Sequence, residues 1–228
     1  MISKLIFLGF ALLNVQIAQA EICGKLFTNS HQKVAAGQPH LIIFSAPSGG
    51  GKTTLANLLL KEFPNLTQSI STTTRAPRGT EKDGVDYHFL STKAFEKKIS
   101  DGKFAEYAQV HGNYYGTQTA TIRNAFAEGK SVIALVDVKG AENLRESFPD
   151  EIYTIFINPP DLKTLEARLR GRGTDPEAAI QKRLANAIQE MGEAKNFDQV
   201  VINDRLDRAL GELRSVFQKM GLVPAQTP

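Results

Sequence analysis

A glycine-rich run followed by a lysine and a threonine is the clearest chemical pattern in this chain. Residues 46–53 read APSGGGKT, which fits the spacing GxxxxGKS/T of phosphate-binding loops except that Ala46 stands at the first glycine. Glycines let backbone N–H groups turn toward phosphate oxygens, a lysine reaches the β- and γ-phosphates, and a hydroxyl binds magnesium. The pattern predicts that ATP or GTP binds at Ala46, Pro47, Ser48, Gly49, Gly50, Gly51, Lys52 and Thr53, with Mg²⁺ on Thr53.

A second group of residues suits a smaller phosphate. Arg75 and Arg78 stand three positions apart, and Tyr87 follows in the same block. Arginine forks bind phosphate oxygens in pairs, and a tyrosine hydroxyl adds a neutral donor. From the two arginines alone, a solvated charged loop is the favoured interpretation.

The elements around the first loop follow from hydrophobic periodicity. Residues 41–44 form an apolar run, and residues 53–63 carry apolar side chains at helical spacing, which predicts a strand, a glycine loop and a helix. Further apolar runs predict buried strands at 131–138, 152–157 and 200–202, and helical patterns follow them at 141–148, 161–170 and 205–220. Strands that alternate with helices predict an α/β fold with a parallel sheet.

The polar segment 69–123 breaks this alternation. It contains short polar and apolar alternations, for example at 86–89, and one helical pattern at Thr92–Ser100. We interpret it as an inserted subdomain of short strands and one helix.

The motifs of this insertion resemble those of the guanylate kinase family. Residues 71–89 match the family's GMP-binding signature ST-T-R-x-x-R-x-x-E-x-x-G-x-D-Y-x-F, and residues 104–108, 112–117, 168–174 and 201–204 resemble further family blocks. The resemblance covers about residues 40–222. It implies a P-loop parallel sheet core at 39–222, with a GMP-binding insertion at 69–123 and a short arginine-rich lid at about 166–180.

The resemblance also implies roles for individual residues. The GMP phosphate would be held by Arg75, Arg78, Tyr87 and Tyr115, and the guanine would be faced by Ser71, Glu106, Thr117 and Asp137. A carboxylate at Glu106 suits guanine, because N1–H and the 2-amino group both donate; adenine has a lone pair at N1, so a buried carboxylate would stay unpaired there.

A cluster of cations completes the implied active site. Lys52, Arg168, Arg172 and Arg183 would surround the phosphoryl group as it moves from ATP to GMP, giving ADP and GDP. Such transfer depends on positioning and electrostatics. No general base is required, because the GMP phosphate oxygen is already an anionic nucleophile.

Two positions depart from the family pattern. The family commonly has Asp-x-Asp before Gly140, but Leu135 replaces the first aspartate and only Asp137 remains. Lys139 stands where the family often has glutamine. The first change puts in doubt whatever contact the missing carboxylate makes.

Two other functions remain open from the sequence. Inert guanylate kinase-like domains bind proteins in larger scaffolds, but they have typically lost the P-loop lysine or parts of the glycine loop, which this chain retains. A kinase for another nucleoside monophosphate is the second alternative, and the guanine-facing residues argue against it.

Composition and the first 38 residues limit the remaining possibilities. The chain has 228 residues, a formal net charge of +3 and one cysteine, Cys23, so an internal disulfide and a CxxC site are excluded. The charge does not favour a nucleic-acid partner.

Residues 5–13 are apolar and 18–20 read Ala-Gln-Ala, which is typical of a signal peptide, although an unstructured extension or a start placed too far upstream fits equally. Because ATP and GMP are cytosolic, we expect a cytoplasmic enzyme of purine metabolism without stable membrane association; the oligomeric state stays open.

Overall fold

The computed structural model describes residues 37–225 except 111, 172 and 174. The predicted N-terminal extension at 1–38 therefore lies almost wholly outside the described residues. Within them, no helix combines the length and the apolar character that crossing a bilayer requires.

A five-stranded parallel sheet forms the centre of the fold. Its strand order is β2-β7-β1-β8-β9, and all pairings are parallel. The strands are β1 (Leu41–Ser45), β2 (Leu66–Gln68), β7 (Ser131–Leu135), β8 (Ile152–Asn158) and β9 (Gln199–Ile202). Because β1 lies in the middle, the loop that follows it opens at the carboxyl edge of the sheet, where α/β folds bind ligands.

Helices cover both faces of this sheet. The α-helices of the described residues are α1 (Lys52–Glu62), α2 (Thr92–Ser100), α3 (Thr119–Ala127), α4 (Val138–Ser147), α5 (Leu162–Gly171), α6 (Glu177–Gly192) and α7 (Leu206–Lys219). Ile42 and Phe44 of β1 pack with α1 and α7, whereas Leu41 and Ile43 pack with α3 and α4. Alternate residues of a strand point to opposite faces, so an apolar run such as β1 is buried on both sides.

A second, four-stranded sheet lies within the predicted insertion. Its order is β4-β3-β6-β5, with β3 (Thr72–Thr73), β4 (His88–Phe89), β5 (Phe104–Val110) and β6 (Asn113–Gln118). Helix α2 packs on one face through Phe95, whose ring stacks on Phe104 and Tyr114. Helix α3 crosses residue 123, the predicted end of the insertion, and packs on the central sheet through Ile122 and Ala125.

The predicted α/β fold with a parallel core is confirmed, and the errors are local. The strand predicted at 131–138 ends at Leu135, and the helix predicted from 141 begins at Val138. The reason is a cap: the Asp137 side chain accepts a hydrogen bond from the Gly140 N–H at 2.7 Å, which favours helix initiation. The sequence patterns did not predict strand β2 or helix α3.

Candidate active site

The glycine loop connects the central strand to the first helix, as predicted. Gly51 caps helix α1 with φ 101°, and Gly49 also has a positive φ of 94°. A side chain at either position would be strained, because non-glycine residues rarely adopt that conformation. The helix begins at Lys52, so its N-terminal N–H groups point into the loop, where an anion is favoured.

Asn203, at the end of β9, braces this loop from behind. Its Nδ2 donates to the carbonyl of Gly50 at 2.9 Å, and its backbone N–H donates to the Asn158 carbonyl at 2.8 Å. A Cβ atom at Gly51 would overlap Nδ2 of Asn203. Asn203 is only 6% exposed, so these contacts exclude water and hold the loop against the sheet.

Lys52 and Thr53 occupy different environments in the first turn of α1. Lys52 is half-buried, and its Nζ donates to the Ala46 carbonyl at 2.8 Å. Burial lowers the pKa of Lys52, while the nearby carboxylates of Glu190 and Asp137 act in the opposite direction. Thr53 is exposed, so its hydroxyl is accessible to a magnesium ion that arrives with a nucleotide.

Two of the three predicted catalytic arginines lie beside the loop. Arg183 of α6 donates to the Ser48 hydroxyl at 2.6 Å and to Asp175 at 3.1 Å. Arg168 of α5 donates to the Asn203 carbonyl at 2.8 Å. Because Asn203 contacts the loop at Gly50, Arg168 is connected to the loop through Asn203. The third, Arg172, lies outside the described residues.

A cleft of about 240 Å³ opens between the second sheet and the end of β7. The second sheet and its loops line one side, and residues 135–137 line the other. Its lining comprises Ser71, Tyr87, Glu106, Ala108, Tyr115, Gly116, Leu135, Val136 and Asp137. The structure therefore gathers five of the eight residues predicted to bind GMP around a single cavity.

A β-bulge aims Glu106 into this cleft. The register of β5 against β6 shifts between Phe104 and Glu106. The shift leaves Phe104 on the side of α2, where it stacks on Phe95, and turns Glu106 to the opposite side. Without the extra residue, positions 104 and 106 would share one face of the strand. A glycine is required at Gly116, which pairs with Tyr107, because a Cβ atom there would lie 2.8 Å from the Glu106 carbonyl oxygen.

The Glu106 carboxyl group is held by Thr117 and is half-buried. The Thr117 hydroxyl donates to Glu106 Oε1 at 2.7 Å, and Thr117 itself is 1% exposed. Burial raises the pKa of Glu106, and the negative charge of Asp137 adds to this effect, whereas the Thr117 hydrogen bond opposes it. A buried carboxylate of this kind is best stabilised by a ligand that donates two hydrogen bonds.

Of the four residues predicted to bind the GMP phosphate, Tyr87 and Tyr115 line the cleft, and Arg75 contacts Tyr87. Arg75 is 9% exposed; it is paired with Glu81 at 2.9 Å and its guanidinium lies 5.3 Å from the Tyr87 ring centre. The Tyr87 and Tyr115 rings meet edge to face, with centroids 6.2 Å apart. Arg78 is exposed, so its guanidinium is accessible to a ligand.

Leu135, the residue that replaces the family's first aspartate, forms part of the cleft wall. It is half-buried and packs against the core that lies under α1 and α7. Asp137 is exposed at the cleft while it caps α4. The substitution thus places an apolar side chain in the cleft and leaves Asp137 as the carboxylate of residues 135–137. Lys139 is exposed on α4.

The described residues contain no group of three or more His, Cys, Asp or Glu side chains placed to hold a metal ion. The hydroxyl of Thr53 is the magnesium ligand that the sequence predicts.

Comparison with known proteins identifies the architecture. The family model described as guanylate kinase matches residues 38–220. The chain belongs to the guanylate kinase family. The guanylate kinase of Hydrogenovibrio crunogenus is 48% identical over 177 residues, which cover 78% of this chain and 86% of the relative. That of Nitratidesulfovibrio vulgaris is 48% identical over 184 residues, which cover 81% and 88%.

A solved guanylate kinase has the same fold. The crystal structure of the enzyme from Anaplasma phagocytophilum is 28% identical and superposes with a TM-score of 0.64, covering 82% of this chain and 88% of that one. The predicted family and the predicted class of enzyme, a kinase of the transferase type, are thereby confirmed. The roles of single residues remain predictions.

Three side chains near the site were not assigned a role from the sequence. Asn203 lay in a recognised family block, but nothing in the spacing showed that it contacts Gly50. Glu81 is a letter of the GMP signature without a stated function. Glu190 follows Arg183 by seven positions on α6, which places both on one helix face, and this spacing was the available signal.

Proposed function

We propose that this chain catalyses the guanylate kinase reaction, in which the γ-phosphoryl group of ATP is transferred to GMP and ADP and GDP are released. The observation that carries the proposal is the position of Asp137. It lines the cleft, and it lies close enough to Lys52 and to Glu106 to affect the pKa of each. Asp137 therefore links the surroundings of the phosphate loop to those of the Glu106 carboxylate.

Guanine fits the chemistry of the cleft. Its N1–H and 2-amino group would donate to Glu106, whose carboxylate Thr117 already orients. Ser71 and Asp137 line the same cavity and would complete the contacts to the base. Adenine has no donor at N1 and would leave a buried carboxylate unpaired, which costs more than the loss of a hydrogen bond.

The GMP phosphate would bind beside Arg75, Tyr87 and Tyr115, which contact one another, and Arg78 would reach it from the same loop as Arg75. Arg75 is already fixed by an ion pair and by the Tyr87 ring, so little conformational entropy is lost when a phosphate binds to it. The exposed Arg78 would bind the phosphate on the side away from Arg75. These side chains orient the phosphate oxygen that attacks the γ-phosphorus atom.

Transfer itself would be assisted by cations around the glycine loop. Lys52 and the loop N–H groups would hold the β- and γ-phosphates of ATP, and Arg168, Arg172 and Arg183 would neutralise charge in the transition state. Magnesium, held by Thr53 and the ATP phosphates, would offset further negative charge. No residue has to remove a proton, because the attacking phosphate oxygen is already ionised.

A coupled assay for ADP tests the proposal. The full chain with ATP, Mg²⁺ and GMP is expected to release ADP, and AMP in place of GMP is expected to give a small fraction of that rate. Lys52→Ala serves as the inactive control. Folded protein that binds GMP without turnover would instead indicate an inert binding module. We expect the activity to serve purine nucleotide metabolism in the cytoplasm, where both substrates occur.

A further inference from the structure

One carboxylate closes the loop that carries both predicted phosphate-binding arginines. Glu81 Oε1 and Oε2 accept hydrogen bonds from Nη2 and Nη1 of Arg75, both at 2.9 Å. Glu81 Oε2 also accepts from the backbone N–H of Arg78 at 2.7 Å. In return, the Glu81 N–H donates to the Arg78 carbonyl at 3.0 Å. A single side chain thus fixes one arginine by its guanidinium and the other by its backbone.

The edge of Arg75 that Glu81 occupies is informative. Glu81 takes one N–H of Nη1 and one of Nη2, and the Ala76 carbonyl accepts from Nη1 at 2.7 Å. A guanidinium has five N–H donors in a planar fork, so Nε–H and one Nη2–H remain, and they lie on the other edge. The guanidinium lies 5.3 Å from the ring centre of Tyr87, which lines the cleft. Arg75 therefore stands beside the cleft, and its second edge is not used by Glu81 or Ala76.

The Glu81 carboxylate is ionised and does not need to release Arg75 when a phosphate binds. The Arg75 guanidinium and the Arg78 N–H hold the pKa of Glu81 below its ordinary value. The guanidinium also lies 5.3 Å from the Tyr87 ring centre and 6.0 Å from that of Phe89, which prevents it from turning over. A phosphate can use the second edge while the ion pair stays intact.

We propose that Glu81 is a positioning residue for the GMP phosphate: it holds Arg75 by one edge so that the other edge faces the cleft, and it sets the backbone of Arg78. This inference rests on the proposed function. If Glu81 instead competed with the phosphate for Arg75, replacing Glu81 would have the opposite effect on GMP binding. Removal of a competitor would tighten it.

The test compares two glutamates that make the same kind of ion pair. Glu81→Gln in the full chain is expected to raise the KM for GMP about tenfold or more, because a hydrogen bond to a charged group is lost, while the KM for ATP stays within about twofold. The matched control is Glu62→Gln. Glu62 accepts two bonds from Arg214 at 2.7 Å each, far from the cleft, with 30% side-chain exposure against 24% for Glu81.

A second variant separates positioning from charge. Glu81→Asp keeps the negative charge but is one methylene shorter, so it is expected to raise the KM for GMP as well. A parent-like KM in Glu81→Asp would show that charge alone matters and would overturn the inference. Calorimetric binding of GMP to each variant, with its melting temperature, checks that every variant is folded.

Other outcomes are equally decisive. An unchanged or lower KM for GMP in Glu81→Gln, or an equal rise in both KM values, would refute a positioning role. If the parent enzyme phosphorylates no GMP, the proposed function fails. If the parent is active and Glu81→Gln behaves like Glu62→Gln, only the inference about Glu81 fails.

Discussion

Replacement of Gly51 by alanine tests how the phosphate loop is held in place. Gly51 has φ 101°, and a Cβ there would overlap Nδ2 of Asn203. The overlap forces Asn203 away from the buried Gly50 carbonyl, its partner at 2.9 Å. Gly51→Ala therefore combines two separate costs, the strain of the backbone and the loss of a buried hydrogen bond.

The two costs can be estimated separately. The left-handed conformation of a non-glycine residue costs about 1–2 kcal/mol, and a buried polar group left unpaired costs about 1–3 kcal/mol. We therefore expect Gly51→Ala to lower the free energy of unfolding by about 2–5 kcal/mol, as the sum of these terms. Asn203→Ala alone carries only the second cost, about 1–3 kcal/mol.

The double variant, Gly51→Ala with Asn203→Ala, should lower the free energy of unfolding by no more than Gly51→Ala alone. Once Asn203 is truncated, the added methyl group no longer meets its amide, and only the backbone strain of about 1–2 kcal/mol is added. The two substitutions should therefore be coupled by about 1–3 kcal/mol. Gly129→Ala is the matched control, because Gly129 has φ 72° and a Cβ atom added there would have no heavy atom within 4 Å, so it carries strain alone.

Urea denaturation of the parent and these four variants, followed by circular dichroism, measures these differences. The kcat/KM for ATP should fall in Gly51→Ala more than in Gly129→Ala, since only the former disturbs the loop. Strict additivity in the double variant, or a cost for Gly51→Ala no greater than that for Gly129→Ala, would refute the account of the contact with Asn203.

Four further predictions concern catalysis and the N-terminal segment. Lys52→Ala should lower kcat about a hundredfold or more while the circular dichroism spectrum is retained, because a cation that acts on the transition state is lost; an unchanged kcat would contradict a catalytic loop. Glu106→Gln should lower the ratio of GMP to AMP activity, and equal ratios in variant and parent would contradict the base assignment. Because burial raises the pKa of Glu106, this residue should become protonated at a higher pH than an ordinary glutamate. The parent's KM for GMP should therefore rise as the pH falls through that range, and Glu106→Gln should not show this rise. Deletion of residues 1–38 should leave kcat/KM and the melting temperature nearly unchanged, since residues 37 and 38 are exposed and the first strand begins at Leu41; a melting temperature several degrees lower would show that the segment packs on the core.

Local patterns were sufficient for the parts of the fold that neighbouring residues determine. The strand, glycine loop and helix around Lys52 lie within one continuous segment, so the order of apolar and glycine residues is enough to predict them. The apolar run at 131–138 was not enough to find the end of β7. There the Asp137 cap competes with strand continuation, and an apolar run does not show which of the two is more stable.

The geometry of the site depended on contacts between residues distant in sequence. Asn203 reaches Gly50 across 153 positions, and Arg183 reaches Ser48 across 135. The direction of Glu106 depends on how β5 pairs with β6, because one extra residue at the bulge turns its side chain to the other face. Sequence alone thus determined which chemical groups the chain possesses and where its main strands and helices lie. Only the tertiary structure decided which groups meet, because strand pairing and packing fix the position of a side chain that its own neighbours leave free to rotate.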